Sequence, residues 1–158
     1  MNWRHRGVEI PIEVYHGVPS GWTPEQILYQ HKILRGSFPI DAPEPTEFGA
    51  PSWMTERARW LRYRQILYNV AAGVRAGDRA CIEIAVRYII FSYIGSYSGF
   101  VRSKLARALK GAPLTANQKH RLDAHFSRIV AERDYTQEFY EYRKLWTRLR
   151  ADRGTTTK

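Results

Sequence analysis

The chain has 158 residues, of which 44% are hydrophobic, and a formal net charge of +10 at pH 7. This length and hydrophobic content suit one folded domain with a sizeable core, and they exclude a chain that is disordered throughout. Cys81 is the only cysteine, which excludes an intrachain disulfide and a thiol-based metal cluster within one chain.

An extended N-terminal arm is predicted before the first helix. Residues 8–15 alternate apolar and polar side chains in the manner of a short strand, and residues 1–22 show no helical period. Trp3, Tyr15 and Trp22 are the candidate anchors of this arm on a helical core.

The first predicted helix spans 24–35. Thr23 and Gln26 have the spacing of a capping box, a proline occupies the first helical position, and Gly36 is expected to end the helix. The segment 37–52 contains four prolines and predicts a wrapping loop within a single domain. The N-terminal third is therefore expected to consist of an arm, a short helix and a Pro-rich loop.

A basic helical core is predicted over 53–151, followed by a loose tail at 152–158. Its helices are expected over 53–75, 79–94, 98–110, 115–133 and from Asp134 or Thr136 to 151. Asp78 is expected to cap the helix 79–94, and Thr115 with Gln118 has the spacing of a second capping box. Their inward stripes are expected to include Phe100, Val130 and Tyr135. Short connections favour antiparallel or steeply crossing neighbours. The predicted fold is all-α, a compact bundle of five or six helices with the extended arm, and a solenoid of helical hairpins is the alternative.

The segment 79–94 is apolar on almost every side, which predicts a central helix covered by its neighbours. Glu83 and Arg87 form its narrow charged stripe. We interpret them as a packed ion pair, with a charge relay as the functional alternative. Cys81 is interpreted as a buried structural thiol. The apolar run at 84–94 is too short to span a bilayer, and no secretory signal is visible, so a cytoplasmic protein is expected.

Positive charge is concentrated after residue 50. Residues 51–158 contain 21 Lys and Arg against 9 Asp and Glu, whereas residues 1–50 contain 4 against 6. This balance favours an acidic partner, either nucleic acid or an acidic protein surface. One candidate basic face consists of Arg102, Lys104, Arg107, Lys110, Lys119 and Arg121. A second strip, on the long helix 53–75, consists of Arg57, Arg64 and Tyr68.

The charged side of the helix 98–110 is predicted to face solvent. Lys104, Arg107 and Lys110 lie opposite the apolar stripe of that helix. Because exposed charges contribute little to stability, reversal of all three is expected to leave the melting temperature nearly unchanged.

These patterns predict a non-enzymatic binding module that contacts nucleic acid through its Lys and Arg face. The alternative is a protein–protein adaptor with an exposed aromatic and arginine surface, since Tyr, Trp and Arg are enriched at interfaces. An enzyme whose site is assembled from distant residues is the third interpretation. No cofactor or metal site is predicted, because His120 and His125 fall on different helix faces and no H-E-x-x-H spacing occurs. The oligomeric state is left open.

Overall fold

Six helices account for most of the chain that the structure describes. The structure is a computed structural model, and it describes residues 3–5, 8–10, 17–41, 52–93, 95 and 98–155. The helices are Pro24–Ile33 (α1), Ser52–Arg75 (α2), Arg79–Phe91 (α3), Ser98–Leu109 (α4), Ala116–Glu132 (α5) and Phe139–Thr155 (α6). The predicted all-α bundle is therefore confirmed.

A short antiparallel ribbon precedes the helices. Trp3–His5 (β1) pairs with Val8–Ile10 (β2), so that Trp3 lies opposite Ile10. The predicted strand thus continues only to Ile10 within the described residues, and its pairing partner is the segment immediately before it. The side chains of Trp3 and Tyr15 and the loop 42–50 lie outside the part of the chain that can be described.

Side chains at the N-cap position satisfy backbone N–H groups at the start of three helices, as the sequence predicts. The Thr23 hydroxyl accepts from the Gln26 N–H at 3.2 Å, and the Gln26 side chain accepts from the Thr23 N–H at 3.0 Å. Thr115 and Gln118 form the same reciprocal pair before α5. Asp78 begins α3 by accepting from the Ala80 N–H at 3.2 Å. Each cap satisfies backbone donors that have no partner within the helix.

Several helix ends differ from the prediction. α1 ends at Ile33 because Arg35 adopts a left-handed backbone with φ of 58°. α3 ends at Phe91 because Ser92 adopts the same conformation with φ of 55°. A left-handed residue cannot continue a right-handed helix, so each stops earlier than its apolar pattern.

The last helix is displaced towards the C-terminus relative to the prediction. It begins at Phe139 rather than at Asp134 or Thr136, because a turn closed by the Phe139 N–H and the Thr136 carbonyl precedes it. It continues to Thr155, so the first residues of the predicted loose tail are helical, and residues 156–158 lie outside the described part.

The predicted central helix is confirmed at the centre of the bundle, where α3 contacts α1, α2, α4 and α5. Most of its side chains are fully buried, including those of Ile82, Ile84, Val86, Tyr88 and Ile89. The hydroxyls of Tyr63 on α2 and Tyr88 on α3 lie 2.5 Å apart and satisfy each other in this interior. Trp22 packs edge-on against Tyr88, which makes it the one predicted anchor whose burial the structure describes.

Three predicted inward positions are wrong. Phe100, Val130 and Tyr135 are 60%, 39% and 54% exposed, respectively. Neighbours cover α4 on the sides towards α2, α3 and α6, and Phe100 lies on the remaining side, two turns before Arg107. Val130 and Tyr135 lie at the edge of a groove beside α6. None of the described helices is long and apolar enough to cross a membrane.

Candidate nucleic-acid interface

Arg102 is not part of the basic surface to which the sequence assigns it. Its side chain is 3% exposed, and its Nη2 lies 2.7 Å from Glu138 Oε1, whose side chain is 4% exposed. Its Nη1 also donates to the Tyr93 carbonyl oxygen. Arg102 lies on the side of α4 that packs against α6, where Glu138 supplies the opposite charge that makes burial of a guanidinium tolerable.

Arg121 also points away from the predicted face. Its two terminal nitrogens donate to the Glu83 carboxylate on α3. Gln118 donates to the same carboxylate at 3.2 Å, and Arg87 donates to it at 2.6 Å. The predicted Glu83–Arg87 ion pair is therefore confirmed, and Arg121 completes it. Burial by itself raises the pKa of Glu83, but the hydrogen bonds from Arg121, Gln118 and Arg87 outweigh it and lower the pKa.

Arg107 and Lys110 lie on either side of a buried carboxylate. Arg107 Nη2 is 3.3 Å and Lys110 Nζ 3.4 Å from Glu141 of α6, and Lys144 Nζ is 3.8 Å away. Burial acts to raise the pKa of Glu141, but these cations lower it. Arg107 faces solvent, whereas Lys110 turns towards α6 with its side chain only 26% exposed. The prediction that Lys110 faces solvent is corrected accordingly.

A small cavity brings Lys110 and Lys119 together with a residue that the sequence pattern did not identify, Arg148. It has a volume of about 120 Å³ and lies between the end of α4, the following loop, the start of α5 and the later part of α6. Apolar side chains complete its lining: Leu109, Ala112, Pro113, Leu114, Leu145 and Leu149. The described lining contains no acidic residue. Three cationic residues, one directly after α4, one in α5 and one in α6, therefore line one space.

The strip on α2 gains a cation from a neighbouring helix. Arg64 Nη2 donates to the Tyr68 hydroxyl at 3.2 Å, and the Arg64 guanidinium lies 5.4 Å from the centre of the Tyr68 ring. Lys104 of α4 lies 4.9 Å from the same centre. Arg57 is exposed two turns earlier on α2. The two predicted basic groups thus meet at Tyr68, and residues 57–75 and 98–110 contain no acidic residue.

An aromatic groove lies along α6, at a position that the sequence pattern did not identify. It has a volume of about 680 Å³. Its lining consists of Val130, Tyr135, Thr136, Gln137, Phe139, Tyr140, Arg143, Trp146, Thr147 and Arg150. Tyr140 is 64% exposed, and the Arg150 guanidinium lies 3.9 Å from the centre of the Trp146 ring. The helical pattern of α6 could have indicated this groove, because its aromatic residues spread over more of the helix than a single apolar stripe requires.

A separate polar cluster surrounds Asp78 at the start of α3. Asp78 Oδ2 lies 2.8 Å from His31 Nε2 and accepts from Cys81 Sγ at 3.2 Å and from the Phe38 N–H at 3.2 Å. These hydrogen bonds outweigh burial and lower the pKa of Asp78, whereas burial and the neighbouring carboxylate raise the pKa of the Cys81 thiol. Cys81 is buried, as predicted.

Comparison with models of known protein families, with curated proteins and with solved structures gave no match. Function is therefore inferred from the side chains themselves.

Proposed function

We propose that this protein is a non-enzymatic module that binds single-stranded nucleic acid through phosphate contacts. The observation that carries the proposal is the meeting of Lys110, Lys119 and Arg148 around one cavity without a carboxylate in its described lining. A volume of about 120 Å³ is several times the roughly 10–15 Å³ that one water molecule requires on the same measure, so the cavity can admit a small anionic group. Lysine and arginine contacts to phosphates provide sequence-independent affinity.

Charge around the cavity favours an anion even after the ion pairs are considered. Glu141 is shared by Arg107, Lys110 and Lys144, so one negative charge faces three positive ones. Glu83 is likewise shared by Arg87 and Arg121. Ion pairing therefore leaves a positive surplus at both carboxylates, consistent with the net charge of the chain. Such a surplus attracts a polyanion and accelerates its association.

Exposed aromatic rings favour a single strand over a duplex. Tyr135 and Tyr140 offer ring faces beside Arg143 and Arg150 in the groove. Unpaired bases stack on such rings, and stacking contributes roughly 1–3 kcal/mol per base with little sequence preference. Bases within a duplex are already stacked and cannot use these rings. The Tyr68 ring contributes differently, since it holds Arg64 and Lys104 together as phosphate-binding cations.

The test compares two variants with the same loss of charge. One is the cavity variant Lys110→Gln/Lys119→Gln/Arg148→Gln. The matched control is Lys32→Gln/Arg75→Gln/Arg79→Gln, whose side chains are exposed on α1, α2 and α3 outside the cavity lining. Binding to labelled random-sequence single strands and duplexes is measured by fluorescence anisotropy at several salt concentrations.

We expect the cavity variant to bind single strands more weakly than the control and with a flatter salt dependence. Each lost phosphate contact lowers the slope of log K against log salt concentration by roughly 0.7, so loss of all three lowers it by about 2. Equal affinities and equal salt slopes for the two variants would show that this cavity is not the phosphate-binding site. Tighter binding of duplexes than of single strands would contradict the stacking role of the groove.

The groove also supports a second candidate, a module that binds an acidic protein segment. Tyr, Trp and Arg contribute a large share of binding energy at protein interfaces, and Tyr140, Trp146 and Arg150 are grouped here. Absence of nucleic-acid binding by the unmodified protein at low salt would reject the first proposal and favour this one. Substitution of Tyr140→Ser would then weaken capture of acidic peptides, whereas substitution of the exposed Tyr29→Ser on α1 would not.

A further inference from the structure

Three chemically different metal-binding side chains converge at the junction of α1 and α3, away from the cation-lined cavity. His31 comes from α1, Asp78 caps α3, and Cys81 lies in the first turn of α3. His31 Nε2 lies 2.8 Å and Cys81 Sγ 3.2 Å from Asp78 Oδ2. One ligand atom from each residue lies within 4.8 Å of the other two.

The backbone around these side chains holds them in place. A Cβ at Gly36 would lie 2.0 Å from His31 Nε2, and a Cβ at Gly73 would lie 2.3 Å from Cys81 Sγ. At both positions the absence of a side chain is what allows the imidazole and the thiol to reach Asp78. The carboxylate is oriented in turn by N–H groups of Phe38 and Ala80. Preset ligands of this kind lower the cost of assembling a metal site.

We propose that His31, Asp78 and Cys81 bind a divalent transition-metal ion, for which Zn²⁺ is the best fit. Zinc takes nitrogen, oxygen and sulfur ligands at about 2.0–2.3 Å, so ligand atoms on a tetrahedral ion lie roughly 3.3–3.7 Å apart. The present separations from Asp78 Oδ2 are 2.8 and 3.2 Å. Small side-chain movements of under about 1 Å reach the required spacing.

Charge balance supports the same ion. On binding, the Cys81 thiol loses its proton to solvent, and the His31 imidazole binds in its neutral form with its proton on Nδ1. A divalent cation with one thiolate and one carboxylate is then neutral overall, which reduces the cost of burying it. Because a thiol must lose its proton before it can bind a metal ion, metal binding releases a proton.

The chemical types of these ligands also favour zinc over Mg²⁺ and Ca²⁺. Mg²⁺ and Ca²⁺ require several oxygen ligands, and this cluster offers one carboxylate. Three protein ligands leave the fourth tetrahedral position to water. The His31 side chain is 13% exposed, whereas that of Asp78 is 4% exposed, so the ion and its water enter from the His31 side. Bound metal would tie α1 to α3.

The experiment uses the full chain, stripped of metal with a chelator and titrated with Co²⁺ as a spectroscopic substitute for zinc. We expect a thiolate-to-cobalt charge-transfer band in the near ultraviolet that saturates at one equivalent and disappears on addition of Zn²⁺. Zn²⁺ should also raise the melting temperature. Absence of both the charge-transfer band and the rise in melting temperature in the unmodified protein would overturn the proposal, whatever the variants do.

Two variants test the assignment of the ligands. Cys81→Ser is nearly isosteric and should abolish the charge-transfer band and the effect of zinc on melting. The control His120→Gln removes an exposed imidazole of α5 outside the cluster and should leave both unchanged. If Cys81→Ser retains the zinc-dependent rise in melting temperature, the proposed site is wrong. Proton release on zinc binding, followed with a pH indicator, provides an independent readout.

Discussion

Arg102 and Glu138 form an ion pair in the interior, 2.7 Å apart, that joins α4 to the turn directly before α6. Arg102 lies on a side of α4 that holds the bundle together, whereas the side chain of Arg107 is 55% exposed. Among the ion pairs of the described residues, Arg102 and Glu138 have only each other as partners, so each charge depends on the other in this buried position.

Loss of one member of that pair should be far more harmful than loss of both. Arg102→Met leaves the Glu138 carboxylate buried beside an apolar side chain, and we expect a loss of about 3–5 kcal/mol in the free energy of unfolding. Arg102→Met/Glu138→Leu should recover most of that loss, because no charge then remains buried. Urea denaturation of the two single variants and the double variant completes the cycle. Additive losses would show that the pair is not coupled.

Gly73→Ala should destabilise the protein although it lies within a helix. Alanine is better than glycine in a helix by about 1 kcal/mol, but its Cβ would lie 2.3 Å from Cys81 Sγ. We expect a net loss of about 1–3 kcal/mol, typical of overpacking. The control is Gly111→Ala, where an added Cβ meets nothing within 4 Å. Thermal melting of both variants checks the prediction, and a stabilised Gly73→Ala protein would contradict it.

His125 should make the fold sensitive to mild acid. Burial, together with the charges of Arg128 and Arg102, lowers the pKa of His125 to about 4. An unfolded histidine titrates near pH 6.5, so between these values the unfolded chain binds the proton and the folded chain does not. Stability should therefore fall as the pH drops through this window, by roughly 3 kcal/mol at pH 4.

His125→Gln is neutral at every pH and should remove that part of the acid sensitivity. The free energy of unfolding of both proteins is measured by urea denaturation between pH 7 and pH 4. The difference between the two values is then followed, because the contributions of the carboxylates, which both proteins share, cancel in it. His120→Gln is the control, since His120 is exposed on the same helix. A constant difference between the His125→Gln and unmodified proteins across this range would contradict the predicted window.

Charge reversal at Lys110 should affect stability, contrary to the expectation from the helical pattern alone. Lys110→Glu removes a cation 3.4 Å from the Glu141 carboxylate and adds a like charge there. We expect a loss of about 1–3 kcal/mol, the scale of a hydrogen bond to a charged group. Lys104→Glu, whose nearest described contact is the Tyr68 ring, should cost less than 1 kcal/mol. Equal melting temperatures for the two variants would contradict the difference.

The features that the sequence predicted correctly are those that neighbouring residues decide. Thr23 with Gln26 and Thr115 with Gln118 form capping boxes because the chemistry is complete within four residues. The continuous apolar surface of 79–94 likewise requires a central position whatever surrounds it. Helix ends were less predictable, since Arg35 and Ser92 take left-handed conformations that their side chains do not favour.

Placement of charges could not be predicted because their partners lie far away along the chain. A helical projection gives the direction of Arg102 but not the presence of Glu138, 36 residues later. Arg148 reaches Lys110 and Lys119 only after α6 packs back along α4. His31 and Asp78 are 47 residues apart, so no ligand spacing could indicate their contact. These relationships depend on tertiary packing rather than on local pattern.

The positive surplus that remains after Glu141 pairs with three cations, in a chain of net charge +10, implies that ionic strength acts on folding and on binding in opposite directions. Long-range repulsion among the excess positive charges is relieved when dissolved ions screen it, so moderate salt should raise the melting temperature of the free protein. The same salt weakens a complex held by phosphate contacts. Dissolved salt would thus weaken the binding of a polyanion, although salt and a bound polyanion each stabilise the folded chain.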